Sequence, residues 1–141
     1  MCYHTFMRFS SGGLSNSDRA SLKQAAQVAA TGDVRKFKLG AVVKRGGRIL
    51  SVGVNAYKTY SPDFEETDKY PPRNQWTVHA EVATLRALNF DARGAILYVA
   101  RVNKYGEYRM SKPCKNCMSA IQAAGIKRVV YTIDNEIDLE K

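Results

Sequence analysis

Two short segments of this chain carry residue types that can do chemistry together, His79-Ala80-Glu81 and Pro113-Cys114-Lys115-Asn116-Cys117. Residues two apart on an ideal helix are separated by about 200° of rotation. His79 and Glu81 therefore cannot serve one site from the side of a helix and can converge only at its N-terminal end. Cys114 and Cys117, at i and i+3, share one face of a first helical turn, where free amides and the positive end of the helix dipole favour thiolates. Two helix N-termini directed at one spot would gather an imidazole, two thiolates and a carboxylate. Zinc suits that set, because a borderline-soft ion takes Cys sulfur and His nitrogen in tetrahedral geometry, and three protein ligands leave one position for water. With two thiolates the site is formally neutral, so water becomes a nucleophile there only with help from a base. Glu81 is the obvious proton acceptor. A purely structural zinc site would need a fourth protein ligand, which only Cys2 or His4 could supply.

The elements that must position these residues are legible in the hydrophobic pattern. Leu22, Ala25, Ala26 and Ala29 recur at helical spacing behind Asn16 or Ser17 as candidate N-caps, predicting a first helix over roughly residues 17–31. Leu39 to Lys44 and Ile49 to Val54 flank Arg45-Gly46-Gly47-Arg48 and read as an antiparallel hairpin. Val78, Val82, Leu85 and Leu88 share one face, so a second helix is expected from near Val78 to before Asp91. Ile96 to Val102 reads as a strand and Lys104 to Glu107 as a turn. Pro113, at a first helical position, opens a third helix that Gly125 ends. Lys127 to Ile133 is a further strand, so residues 96–133 form a βαβ crossover. The expected fold is α/β, a mixed sheet of four or five strands with helices on both faces. Residues 1–16, without a sustained period, are expected as a flexible N-terminal arm ahead of one domain spanning 17–141.

Composition narrows the class. With 141 residues, 45% of them hydrophobic, the chain has room for one core. Nothing approaches the length of apolar run that spans a bilayer, and the first nine residues lack the apolar stretch of a secretory signal. Three cysteines, two of them three apart, point to metal or redox chemistry in the cytosol before a structural disulfide. The formal net charge is +9, distributed as +7 over residues 1–50, −1 over 51–100 and +3 over 101–141. That excess favours a phosphate-bearing partner, nucleotide or nucleic acid, over a membrane. Residues 57–76 hold three prolines and five aromatics without period and read as a functional loop. Trp76, three residues before His79, is expected to wall the pocket by stacking on a base.

The H-x-E…P-C-x-x-C arrangement is a signature of zinc nucleobase deaminases. With Ala124-Gly125-Ile126-Lys127-Arg128-Val129-Val130-Tyr131 following it, the chain from about Leu39 to Ile133 resembles the cytidine and deoxycytidylate deaminase superfamily, which includes the tRNA adenosine deaminases. The resemblance implies a three-layer α/β/α fold, His79, Cys114 and Cys117 as zinc ligands, and Glu81 as proton shuttle. It implies that Asn55, at the end of the second expected strand, holds the substrate sugar or base, with Ala80 also lining the substrate. It further implies a homo-oligomer and a hydrolytic reaction, in which zinc-bound hydroxide attacks the amine-bearing ring carbon. The expected activity is deamination of cytosine in a free nucleotide or nucleoside, dCMP or CMP being favoured by the basic charge. Two other readings follow from the same residues. One is a deaminase of cytosine or adenine in single-stranded DNA or RNA; the other is a non-catalytic zinc module that binds nucleic acid.

Overall fold

The computed structural model describes residues 8–10, 14–32, 38–57 and 77–134. Trp76, Cys2, His4 and most of the 57–76 segment lie outside the described residues. The elements run β1 (Arg8–Ser10), α1 (Asn16–Ala30), β2 (Lys38–Arg45), β3 (Arg48–Val54), β4 (Ala56–Tyr57), β5 (Thr77–Val78), α2 (Ala80–Arg86), β6 (Ile96–Val102), β7 (Tyr108–Arg109), α3 (Lys115–Ala123) and β8 (Arg128–Tyr131). The main sheet has the order β1-β8-β6-β2-β3, with β7 added against the end of β6. β8 is parallel to β6 and β1, whereas β2 is antiparallel to β3 and β6, so the sheet is mixed.

Side-chain alternation on the central strands creates two cores. Ala41 and Val43 of β2, Leu97 and Val99 of β6 and Val129 of β8 meet Ala80, Leu85, Cys117 and Ile121 of α2 and α3 on one face. Val42, Tyr98, Ala100 and Val130 meet Leu22 and Ala25 of α1 on the other. A strand buried on both faces must be apolar at every position, and Leu97 to Ala100 is. The result is the three-layer α/β/α arrangement. Among the described residues no helix is long and apolar enough to cross a membrane.

Two glycines set how closely helices approach the sheet. A Cβ on Gly40 would lie 2.1 Å from the Ala25 carbonyl oxygen, and one on Gly53 would lie 2.7 Å from the Ala80 carbonyl oxygen and 2.8 Å from the Thr84 nitrogen. Gly40 thus seats α1 and Gly53 seats the first turn of α2, the turn that begins the site. On the α1 face, Ser15 and Asp18 form a capping box. The buried Asp18 carboxylate also accepts from the Tyr98 hydroxyl at 3.0 Å and from both terminal nitrogens of Arg128 at 3.2 and 2.8 Å.

Several boundaries differ from the sequence expectation. The first helix is capped by Ser15, ahead of Asn16 and Ser17, because Asp18 completes the reciprocal box only with Ser15. Within the segment expected as a flexible arm, Arg8–Ser10 pairs parallel to β8. The second helix starts at Ala80, two residues later than expected, since Thr77 and Val78 pair with Tyr57 and Ala56. Pro113 lies just outside the third helix, whose N-cap is Cys114.

Candidate metal centre and active site

His79 and Cys114 are both N-cap residues with extended backbone, at φ −72°, ψ 146° and φ −74°, ψ 172°. In both, the backbone carbonyl starts the helix: that of His79 accepts from the Ala83 N–H at 3.0 Å, and that of Cys114 from the Met118 N–H at 2.8 Å. Neither side chain caps its own helix. They turn instead to each other and to Cys117, one turn into α3. His79 Nδ1 lies 3.0 Å from Cys117 Sγ and 3.8 Å from Cys114 Sγ, and the three ligand atoms fall within 4.8 Å of one another. One imidazole nitrogen and two sulfurs gathered this closely are the donor types that zinc takes, and donors about 2.0–2.3 Å from a tetrahedral ion would sit roughly 3.5–3.8 Å apart once it is bound. Among the described residues no fourth His, Cys, Asp or Glu joins the group.

Glu81 follows in the first turn of α2. It is only 3% exposed, and its Oε1 is buried without a hydrogen-bond partner among the described residues. Burial pushes its carboxyl up to about 7, against a smaller opposing effect of its own backbone N–H. Burial, the charge of Glu81 and the neighbouring Cys114 together push the Cys117 thiol up. A carboxylate that acts on a ligand thiol, yet has an oxygen left unpaired, is an unusual thing to bury for structure alone. The site is asymmetric in access: Cys114 is exposed, while Cys117 and Glu81 are buried.

Asn55 is 1% exposed, at the end of β3. Its Oδ1 accepts from the Leu39 N–H at 2.8 Å, and its own N–H donates to the Leu39 carbonyl at 3.1 Å. Part of its role is therefore to fasten the ends of β2 and β3. The β4–β5 pairing sets Ala56 opposite Val78, so the chain just before β4 and the chain just after β5 are adjacent, which brings Asn55 toward His79. Ala80 is fully buried against the sheet at Gly53.

Ser111 and Thr132 were not singled out by the sequence. Both are buried, and their hydroxyls tie the approach to the cysteine loop to β6 and to the end of β8. Each sits in an irregular stretch, and the partners are 21 residues apart, so no local pattern marks them.

The model of the cytidine and deoxycytidylate deaminase zinc-binding region matches residues 15–133, and the chain belongs to this family of zinc-dependent deaminases. Curated relatives include an uncharacterized deaminase in the luxG 3′ region of Aliivibrio fischeri, 30% identical over 92 residues, covering 65% of this chain and 56% of the relative. The deoxycytidylate deaminase of Enterobacteria phage T4 is 26% identical over 138 residues, covering 67% of this chain and 66% of the relative. The chain thus spans less than two thirds of the length of these relatives. The apo crystal structure of dCMP deaminase from the cyanophage S-TIM5 superposes with a TM-score of 0.61 at 22% identity, over 84% of each chain, and this likeness establishes the fold. The cofactor read from the donor set and the family agree on zinc.

Proposed function

We propose that this protein is a zinc-dependent hydrolase that converts cytosine to uracil in a free nucleotide, with dCMP or CMP favoured. The observation that carries the reading is Glu81, a carboxylate 3% exposed with an unpaired oxygen, set beside an imidazole and two thiols at paired helix N-termini. His79, Cys114 and Cys117 hold the metal, which when bound supplies the Lewis acidity that makes water a nucleophile near neutral pH. As the water oxygen bonds to the amine-bearing ring carbon, Glu81 moves one of the water's protons to the ring nitrogen and then the other to the amine, whose bond to carbon breaks to release ammonia. A carboxyl that titrates near neutrality can both accept and give up a proton at the pH of the cell. Asn55, at the strand end whose pairing leads toward His79, orients the sugar or base, and the Ala80 backbone lines the pocket; Trp76, expected to stack on the base, lies outside the described residues. The need for reduced thiols fits the cytoplasm.

Nucleotide deamination has support from the T4 relative, a deoxycytidylate deaminase, and from the S-TIM5 dCMP deaminase crystallised with dCMP and dUMP, which has the same fold at 23% identity and a TM-score of 0.56. The deciding experiment offers the zinc-loaded protein dCMP and a cytosine-containing single-stranded oligonucleotide side by side, with Glu81→Gln as control. Turnover of dCMP alone is expected. Turnover of the oligonucleotide alone would make the protein a nucleic-acid editor, and no turnover of either, with Glu81→Gln behaving as wild type in nucleic-acid binding, would leave a zinc module.

A further inference from the structure

About ten residues, Asn103 to Lys112, separate β6 from the cysteine loop, and much of this excursion is in solvent, with Tyr105 74% exposed and Met110 46%. Along the chain, the cysteine loop is joined to β6 through this excursion. What lies between them is a knot of hydroxyls. The Ser111 hydroxyl donates to the Val99 carbonyl at 2.9 Å and accepts from the Thr132 N–H at 2.9 Å. The Thr132 hydroxyl donates to the Arg109 carbonyl at 2.7 Å and accepts from the Arg101 N–H at 3.2 Å. The Ser111 N–H donates to the Thr132 carbonyl at 2.9 Å, and the two hydroxyl oxygens lie 2.9 Å apart. One pair of side chains thereby ties the middle of β6, the end of β7, the residue after β8 and the chain three residues before Cys114.

We propose that the Ser111–Thr132 knot is the positioning device of the metal centre: it isolates the cysteine loop from the excursion and holds Cys114 and Cys117 in register with His79. The two residues touch no substrate and act through the thiols. The proposal rests on the zinc reading of those thiols. Ligands fixed before the metal arrives do not lose freedom when it binds, so the knot acts chiefly on metal affinity, where loss of a supporting hydrogen bond typically costs about 10–100-fold. Removing the Thr132 hydroxyl takes away its bonds to the Arg101 N–H and the Arg109 carbonyl, and with them the tie between the end of β8 and the β6–β7 pair on the side of the excursion. Removing that of Ser111 releases Val99 and the Thr132 N–H on the side of the loop.

The test measures zinc affinity by competition with a chromophoric chelator, and the thiolate-to-metal absorption of the cobalt-substituted protein, for Ser111→Ala, Thr132→Val and Thr132→Ser. Affinity is expected to fall about 10–100-fold in the first two, with a weakened cobalt band, and to return toward wild type in Thr132→Ser, which keeps the hydroxyl. Val42→Ala, cut from the core on the α1 face, serves as control; it should lower the melting temperature and leave affinity unchanged. Wild-type affinity in both Ser111→Ala and Thr132→Val would overturn the proposal, as would an equal loss of affinity in Val42→Ala. Failure of the zinc reading itself would look different, since His79→Ala would then bind metal no worse than wild type.

Discussion

Glu81 carries opposite demands on folding and on chemistry, and the two can be measured apart. In the zinc-free protein its carboxyl sits near 7 against an ordinary value of 4.5 because it is buried. Between those two values the native state holds a proton that the unfolded chain has released, so stability falls as pH rises and the full cost is present above about 7. Glu81→Gln removes that buried charge at nearly constant shape. Chemical denaturation of the zinc-free proteins should find the variant more stable at pH 8 by roughly 3 kcal/mol, with the gap closing as pH falls toward 4.5. A gap independent of pH would mean that the carboxylate is not the source. In the loaded protein the same substitution should cut ammonia release from dCMP by at least about 10²–10⁴ while metal content stays stoichiometric, because the ligands are untouched. The motif made this residue legible in the sequence: His, Glu and two Cys at these spacings admit few other uses. Burial and the missing partner of Oε1 could not be read there, since they depend on how α2 and α3 pack.

At the level of elements, the site depends on how deeply α2 seats, and Gly53 controls that depth. Its added Cβ would collide with backbone atoms of Ala80 and Thr84, which cannot rotate away. Gly53→Ala should therefore push the first turn of α2 outward, weakening zinc binding and deamination together, at an overpacking cost of about 1–3 kcal/mol. Retained zinc affinity with lost stability alone would show that the helix yields without carrying His79. The opposite face is locked by Asp18, whose carboxyl is raised by burial but held below its ordinary value by Arg128, the Ser15 N–H and Tyr98, which together outweigh that effect. Such a group stabilises the fold above its unfolded value of 3.8, and the contribution is lost as pH falls through the lower folded value. Asp18→Asn should cost roughly 2–4 kcal/mol in urea denaturation at pH 7 and distinctly less near pH 3. Local patterns revealed α1, the β2–β3 hairpin and β6 well, because each is long and regular. They misplaced the start of α2, since nothing near Thr77 and Val78 shows that Ala56 and Tyr57, some twenty residues away, will pair with them. β1 was missed for the same reason: its three residues become a strand only against β8.

Over the whole molecule the charge is +9, and two of its cations, Lys112 and Lys115, lie exposed on either side of Pro113 and Cys114. Cys114 is also the exposed member of the metal group, so these lysines adjoin in sequence the part of the site that solvent reaches. A field of this kind attracts a phosphate dianion before contact and does nothing for a neutral nucleoside. Salt shortens its reach, from a screening length of about 30 Å at 0.01 M to about 8 Å at 0.15 M. The kcat/KM for dCMP should therefore fall severalfold between 0.01 and 0.3 M salt, mainly through KM, while that for deoxycytidine changes by less than about twofold. Lys115→Ala should flatten the dCMP dependence and leave the nucleoside rate as it was. Equal salt responses for the two substrates would place the phosphate outside this field and make the basic surface a matter of solubility. A response steeper for a cytosine oligonucleotide than for dCMP, scaling with the number of phosphates engaged, would shift the substrate assignment to the polymer.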